Sequence, residues 1–350
     1  MVNKNNNTYN YNSKRNNNSI FVKDGLNQSD DFGGHGSNNI NDFGSLCDTW
    51  LQNIRLSIKE STYTRYHRIV NKYLLPNLNI HIENIDGDFI NNLSNNLLSQ
   101  GGTTGNPLSP KTVTDILCVL KSILYFGKQN YFPCNIPVGV RFPKKRPLQI
   151  RILTRETLKK IEKQLLSSGD ETSLGIIFTL YTGVRIGELC GIRWSDIDLK
   201  ESLVSINRTV ERISNLDINQ EGKTKLIISE PKTDSSKRII PLPRFLISHL
   251  KKYKRAPEIY LITGTEKFTE PHQFYIRYRR FMQRNGIGCY SFHALRHTFA
   301  TRCVETGFDV KSLSEILGHA SITTTMSIYV HPTLEQKRLQ MERLIPEHLS

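Results

Sequence analysis

The stretch Arg141-Phe-Pro-Lys-Lys-Arg-Pro147 divides this chain into two unlike parts. Its two prolines block a helix from running through it. Four of its seven residues are basic, which suits a strap across phosphates or, equally, a solvated charged linker. Before it, apolar residues recur at helical spacing only; after it, helical stretches alternate with short runs rich in Val and Ile.

In the first part, Leu46, Trp50 and Ile54 mark one helix. A second is expected after Ser61-Thr62, carrying Tyr63, Tyr66, Ile69, Val70 and Tyr73 toward a stop at Pro76. A third spans about Asp88 to Leu98 and ends at Gly101-Gly102. A fourth starts after Ser109-Pro110 and holds Val113, Ile116, Leu117, Leu120, Ile123 and Leu124. The pattern predicts a compact bundle of about four helices, decorated by Lys59, Arg65, Arg68, Lys72, Lys111 and Lys121. Residues 1–43 are rich in Asn, Ser and Gly, too polar to offset the entropy of ordering, and are expected to form a disordered tail.

Beyond the linker, Thr154 reads as an N-cap with Glu156 in the first turn of a helix through Leu158, Ile161 and Leu165. Leu174–Tyr181 reads as a buried helix closed by a turn at Thr182-Gly183. Strands are expected at Leu203–Ile213, Leu226–Ser229 and Arg238–Leu242, then short helices to the end. The expected class is mainly α with a small antiparallel β-sheet: a tail at 1–43, a helical domain at 44–142, a basic linker at 143–152 and a mixed α/β domain at 153–350.

Lys and Arg number 47 against 32 Asp and Glu, a net charge of +15. Such a surplus points to a polyanionic partner, nucleic acid first, although solubility alone would also account for it. The six cysteines, Cys47, Cys118, Cys134, Cys190, Cys289 and Cys303, form no CxxC pair and no zinc-ligand spacing. Reduced thiols in a cytoplasmic protein are expected, with no metal. The start Met-Val-Asn-Lys-Asn-Asn lacks the apolar run of a signal peptide, and the longest apolar stretch, near Leu174 to Val184, is too short to span a bilayer.

Four short segments carry polar residues in otherwise apolar settings. In Thr182-Gly-Val-Arg-Ile-Gly-Glu-Leu189, Arg185 follows a glycine turn and opens a helix, beside free backbone N–H groups that suit a phosphate. Glu188, three residues on, lies on the same face and can hold the guanidinium. In Pro231-Lys-Thr-Asp-Ser-Ser-Lys-Arg238, Lys232 sits at the base of a turn where it could reach a substrate oxygen, with Lys237 and Arg238 as alternatives. In Ser291-Phe-His-Ala-Leu-Arg-His-Thr298, His293 and Arg296 share a helical face, while His297, one residue round, reads as structural. In Leu317-Gly-His-Ala-Ser-Ile-Thr-Thr-Thr-Met-Ser-Ile-Tyr329, Gly318 is a C-cap, His319 sits in the break, Ser321 caps the next helix, and Tyr329 lies two to three turns into it. Singly, each has a bland reading: a surface pair, a solvated turn, a packed tyrosine.

In chain order, Thr182-Gly-Val-Arg185, His293-Ala-Leu-Arg-His297, Leu317-Gly-His319 and Ile328-Tyr-Val-His331 resemble the tyrosine recombinases, or phage integrases, over roughly residues 44 to 345. The resemblance implies a helical core-binding (SAM-like) DNA-binding domain at 44–142 and a catalytic domain from 153. It implies that Tyr329 attacks a phosphodiester to form a 3′-phosphotyrosine, with Arg185 and Arg296 on the non-bridging oxygens and Lys232 as acid for the 5′-oxygen. His293 would assist proton transfer with Tyr329, His319 would hydrogen-bond the phosphate and Glu188 would support Arg185. It implies no cofactor and no metal, since arginines stabilise the charge that builds on the equatorial oxygens. The partners implied are double-stranded DNA, a homo-tetramer on two duplexes joined through the amphipathic stretch Leu334–Ile345, and an excisionase or a DNA-bending protein as accessory. Integration and excision of a mobile element is the first reading, and Xer-like multimer resolution the second. A type IB topoisomerase and a non-cutting DNA-binding regulator are weaker alternatives. Residues 1–43 look too short and too polar for the extra arm-binding domain that some integrases carry.

Overall fold

The computed structural model describes residues 42–78, 81–101, 105–131, 139–144, 151–217, 221–230 and 237–329, with 338, 341 and 342. Most of the tail, Cys134, Lys145–Ile150 of the linker, Lys232 and nearly all of Leu334–Ile345 lie outside the described residues.

The first part is helical. Helix α1 (Phe43–Ile54) is capped by Asp42, whose carboxylate accepts from the Ser45 N–H at 2.8 Å. Composition had placed Asp42 and Phe43 in the tail, but a capping carboxylate and a phenyl ring that is 1 % exposed anchor both to the bundle. Helix α2 (Glu60–Ile69) starts just before the expected Ser61-Thr62 and continues through a π-helical turn at Val70–Leu74 into a 3₁₀ turn at Leu75–Asn77, where Pro76 ends it. Helix α3 (Gly87–Ser99) is capped by Asp86, and α4 (Pro110–Asn130) by Ser109 with Pro110 in its first turn. Their apolar stripes meet in one core around Leu46, Trp50, Val70, Leu97, Ile116 and Leu120.

The second core forms around α6 (Glu171–Thr182), which is buried on nearly all sides, as its largely apolar run Leu174–Leu180 requires. Around it lie α5 (Arg155–Ser167), α7 (Ile186–Gly191), α8 (Arg244–Lys251), α9 (Pro271–Arg284) and α10 (His293–Glu305). Helices α11 (Val310–Leu317) and α12 (Ile322–Tyr329) follow.

Instead of one small sheet there are two, both antiparallel. Strands β1 (Ile197–Asp198), β2 (Leu203–Ile206) and β5 (Arg238–Pro241) pair in the order β1-β2-β5, with Val204 opposite Ile240. Strands β3 (Thr209–Ser214) and β4 (Thr224–Ser229) form a separate hairpin, with Val210 opposite Ile228. The expected single run Leu203–Ile213 is therefore broken. At the break Arg208 turns inward to Asp196 at 2.6 Å and to the Gly191 carbonyl at 3.2 Å, which fixes the corner between the sheets. Among the described residues, no helix is long and apolar enough to cross a membrane.

Candidate active site

The site forms where the C-terminal ends of α6 and α11 meet the start of β5 and the inner face of α10. Helix α6 ends at Gly183 in the left-handed region (φ 66°). A Cβ there would lie 2.5 Å from a ring carbon of Phe299, so only glycine permits this turn. The turn delivers Arg185 to the N-cap of α7.

One of the backbone donors expected beside Arg185 is already taken. Its own N–H donates to Glu188 Oε2 at 2.8 Å, because the carboxylate three residues on folds back over the helix start. Its guanidinium donates to Glu188 Oε1 at 2.8 Å and to the Gly318 carbonyl at 3.2 Å. The Arg185 side chain remains 39 % exposed, so the cation is partly open to solvent.

Glu188 is buried and holds a second arginine. Arg238, the first residue of β5, donates to both its carboxylate oxygens, at 3.1 and 2.8 Å, and through Nε to the Ile316 carbonyl at 2.6 Å. Burial alone would raise the Glu188 pKa. The Arg238 hydrogen bonds and charge, with the Arg185 charge, outweigh it and hold the carboxyl at about 2. Sequence reasoning had offered Arg238 only as a stand-in for Lys232. The signal lay in the strand's period of two, which puts Arg238 on the same inward face as Ile240, where a buried cation needs a carboxylate.

Arg296, from α10, is 1 % exposed. It donates to the Gly183 carbonyl and the Leu317 carbonyl, both at 2.7 Å, so one guanidinium caps the ends of α6 and α11 together. It also donates to His319 Nε2 at 3.0 Å. Burial and the Arg185 charge push its pKa down to about 9, which leaves it protonated at neutral pH.

His319 follows Gly318, which is left-handed (φ 64°) and closes α11. Arginine only donates, so Nε2 accepts, and Nδ1 carries the hydrogen toward Thr325 Oγ1 at 2.8 Å. Ser321 accepts from the Thr323 N–H at the start of α12. His293 packs edge-on against His297, ring centroids 4.5 Å apart. Burial first, then the surrounding positive charge, lowers His293 and His319 to about 4, so both are neutral at pH 7.

Tyr329 ends α12 and is 8 % exposed, packed against Ala300, Cys303, Leu313 and Leu317. Its hydroxyl lies 2.7 Å from Nδ1 of His297, the residue that the sequence reading had left to packing. The missed signal was spacing: His297 is four residues after His293 and so projects from the same helical face. Burial raises the Tyr329 pKa, and the charges of Arg296 and Arg185 oppose it without cancelling it. Thus Arg185, Glu188, His293, Arg296, His319 and Tyr329 belong to one neighbourhood, joined by Arg238 and His297, while Lys232 lies outside the described residues. Among the described residues, no group of three or more His, Cys, Asp and Glu side chains gathers as for a metal ion.

Comparison with known proteins matches this arrangement to one family. The profile of the phage integrase family matches residues 151–336, more than half of the chain, and that of the phage integrase N-terminal SAM-like domain matches residues 42–98. The chain belongs to the phage integrase family, that is, to the tyrosine site-specific recombinases, enzymes that cut and rejoin DNA. It is 29 % identical over 328 residues to a tyrosine recombinase XerC-like protein of Caldanaerobacter subterraneus subsp. tengcongensis, covering 86 % of this chain and 82 % of that one. It is 28 % identical over 210 residues to a tyrosine recombinase XerA of Thermococcus onnurineus, covering 58 % of this chain and 64 % of the relative. In fold it is similar to the Tn1549 transposon integrase in complex with circular intermediate DNA (TM-score 0.66, 22 % identity, 86 % of this chain and 99 % of that one). It is also similar to a lambda integrase dimer bound to a core site (TM-score 0.61, 18 % identity, 82 % of this chain and 95 % of that one).

Proposed function

We propose that this recombinase opens a DNA strand by attack of Tyr329 on a phosphodiester, forming a 3′-phosphotyrosine and releasing a 5′-hydroxyl that a partner strand's hydroxyl later replaces. One observation carries the reading. Three guanidiniums, Arg185, Arg238 and Arg296, gather around the single carboxylate of Glu188, close enough to Tyr329 for two of them to act on its phenol. A largely buried cluster with surplus positive charge and an adjacent nucleophile is suited to a substrate that brings the missing negative charge. A phosphodiester does so, and more negative charge builds on its oxygens as the tyrosine attacks.

Each residue then has a task. Arg185, the more open cation, binds a non-bridging oxygen, and Arg296 stabilises the second from beneath. Glu188 and Arg238 hold Arg185 in place. His319 donates from Nε2 to the phosphate once the substrate draws Arg296 away and the ring takes its other tautomer, with Nδ1 accepting from the Thr325 hydroxyl. His293 assists removal of the Tyr329 proton, and Lys232 gives a proton to the departing 5′-oxygen. The 42–131 helical bundle would clasp the duplex through basic side chains such as Arg65, Arg68, Lys72, Lys111 and Lys121, on the face away from the catalytic domain. Four protomers on two duplexes, tied by the segment after Tyr329 and assisted by an excisionase or bending protein, would complete integration and excision of a mobile element. The fold likeness to a transposon integrase favours that role, whereas the XerC-like relative favours multimer resolution.

Covalent trapping tests the chemistry. The protein is incubated with nicked duplex bearing its element's terminal sequence, denatured in SDS and resolved by electrophoresis. A slow protein–DNA band that disappears in Tyr329→Phe is the expected result. Salt-sensitive DNA binding with no such band would instead fit a regulator that does not cut.

A further inference from the structure

The geometry points to His297, through Nδ1, as the base that removes the Tyr329 proton during attack. This deepens the reading of Tyr329 as nucleophile and rests on it. Among the described residues, three imidazoles surround the site, and their surroundings differ. Both ring nitrogens of His319 are engaged, Nε2 by Arg296 at 3.0 Å and Nδ1 by Thr325 at 2.8 Å. His293 meets the phenol only through its neighbour, its ring edge-on to His297 at 4.5 Å. Among the described residues, His297 alone places a ring nitrogen at hydrogen-bond distance, 2.7 Å, from the hydroxyl oxygen that must bond to phosphorus. Glu188, the carboxylate nearby among the described residues, already accepts from two arginines.

The surroundings suit the transfer. Burial, then the Arg296 charge, lowers the His297 pKa from its ordinary value, so the ring is neutral near pH 7 and can accept a proton. Tyr329 is raised by burial and cannot ionise unaided at that pH. The groups facing the pair are Tyr329 itself from α12, and His293, Arg296 and the neutral Cys303 thiol from α10, with Arg185 acting on the phenol from the start of α7. The imidazolium that forms sits in a positive field, and the anionic phosphate of the substrate offsets that cost.

The step balances. The Tyr329 O–H proton passes to His297 Nδ1 while the phenolic oxygen bonds to phosphorus. The bond from phosphorus to the 5′-oxygen breaks, and that oxygen takes a proton from Lys232. In rejoining, the incoming 5′-hydroxyl returns its proton to Lys232, and His297 returns its own to Tyr329. His293 is then a positioning residue that steers the His297 ring.

The test compares wild type, His297→Ala and His297→Gln on nicked duplex, with either an ordinary phosphodiester or a 5′-bridging phosphorothiolate, whose sulfur leaves without an acid. Glutamine keeps a polar partner for the phenol but cannot take its proton. Both variants are expected to form the covalent adduct about 10²-fold or more slowly on both substrates. Wild type should be flat with pH around neutrality, while the variants climb about tenfold per pH unit, and added imidazole should partly restore His297→Ala. Melting curves and DNA binding identify a variant that has merely unfolded. Full activity in folded His297→Gln, recovery on the phosphorothiolate, or a slow rate with the wild-type pH profile would each overturn the assignment. Without DNA, nitrogen NMR should find His297 Nδ1 unprotonated and shifted in Tyr329→Phe; a protonated Nδ1 would also overturn it. If the adduct still forms in Tyr329→Phe, Tyr329 itself is not the nucleophile and the inference falls with it.

Discussion

The helical bundle and the α6–α11 junction are both well packed, but they bury different things. The bundle's interior is nearly all apolar, with Thr64 and Ser94 its buried polar residues among those described. The junction buries Glu188, Arg238, Arg296 and Tyr329, with His297 and His319 half-buried beside them. An apolar core is stable through area alone, about 25 cal/mol per Å². A buried cluster with more cations than carboxylates is stable only because main-chain carbonyls and imidazole nitrogens take up the extra N–H groups. The comparison teaches where stability and chemistry are coupled. In the bundle a side chain can be lost without touching the reaction; at the junction each group holds both the fold and the substrate's charge.

The largest effects should come from Arg296. Arg296→Ala removes the donor shared by the Gly183 and Leu317 carbonyls and leaves both buried without it. Each unsatisfied carbonyl costs about 1–3 kcal/mol, and a lost cationic donor on the transition state costs about 10²–10³ in rate. Denaturant melts and single-turnover adduct formation should both register the loss. Retention of either property would separate what the junction is argued to join. Ile116→Ala in α4 is the counterpart. It opens a cavity beside Leu117 and Leu120 and should cost about 2–5 kcal/mol of stability, while the cleavage rate of the saturated DNA complex stays within about twofold. A rate collapse there, with the fold intact, would mean that the bundle enters the chemistry after all.

The same contrast governs what the sequence could disclose. The bundle was legible almost throughout because its helices are set by local periodicity and caps: Ser109 before Pro110, and the stripe from Val113 to Leu124. The fold class and the order of Arg185, His293, Arg296, His319 and Tyr329 were legible too, since each sits in a short motif. What escaped depends on partners far along the chain. Arg238 meets Glu188 across 50 residues and the Ile316 carbonyl across 78, and no local pattern announces either. His297 meets Tyr329 across 32 residues, at a helix end whose direction is fixed by the left-handed Gly318. The break between β2 and β3 turns on the Arg208–Asp196 pair, which periodicity alone cannot see.

Acid should find the junction first. Glu188 lies well below its ordinary value, at about 2, so its ionised form contributes stability that is present above about 4.5 and lost as pH falls toward 2. Taken alone, the shift corresponds to about 3 kcal/mol. His293 and His319 act in the same direction from higher pH. Their neutral forms are favoured by folding, so stability is full above about 6.5 and declines as pH falls through about 4. Melting followed from pH 7 to 3 should therefore show a steady loss. Glu188→Gln should flatten the part below about pH 4.5, and His319→Gln part of the stretch above it. A variant that leaves the profile unchanged would show that acid acts elsewhere.

The smallest effect provides the sharpest contrast, because the bundle carries its own version of the motif. Asp115 on α4 is shared by two cations, Arg65 at 3.2 Å and Lys111 at 2.7 Å, much as Glu188 is shared by Arg185 and Arg238. The difference is water. The Lys111 side chain is 66 % exposed and that of Arg65 49 %, against 5 % for Arg238. Exposed pairs at this spacing contribute only about 0.3–0.5 kcal/mol, because solvent screens them and two long side chains lose freedom to form them. Lys111→Ala should thus move the melting midpoint barely at all. If the bundle's basic face meets phosphates, the same change should reduce the slope of log affinity against log salt by about 1, with no change in the rate of strand cutting once bound. A stability loss approaching that of the junction would mean that Asp115 is sheltered in a way its exposure denies. An unchanged salt slope would move the DNA contact to another face, and the surplus cation at Asp115 would then be surface charge alone.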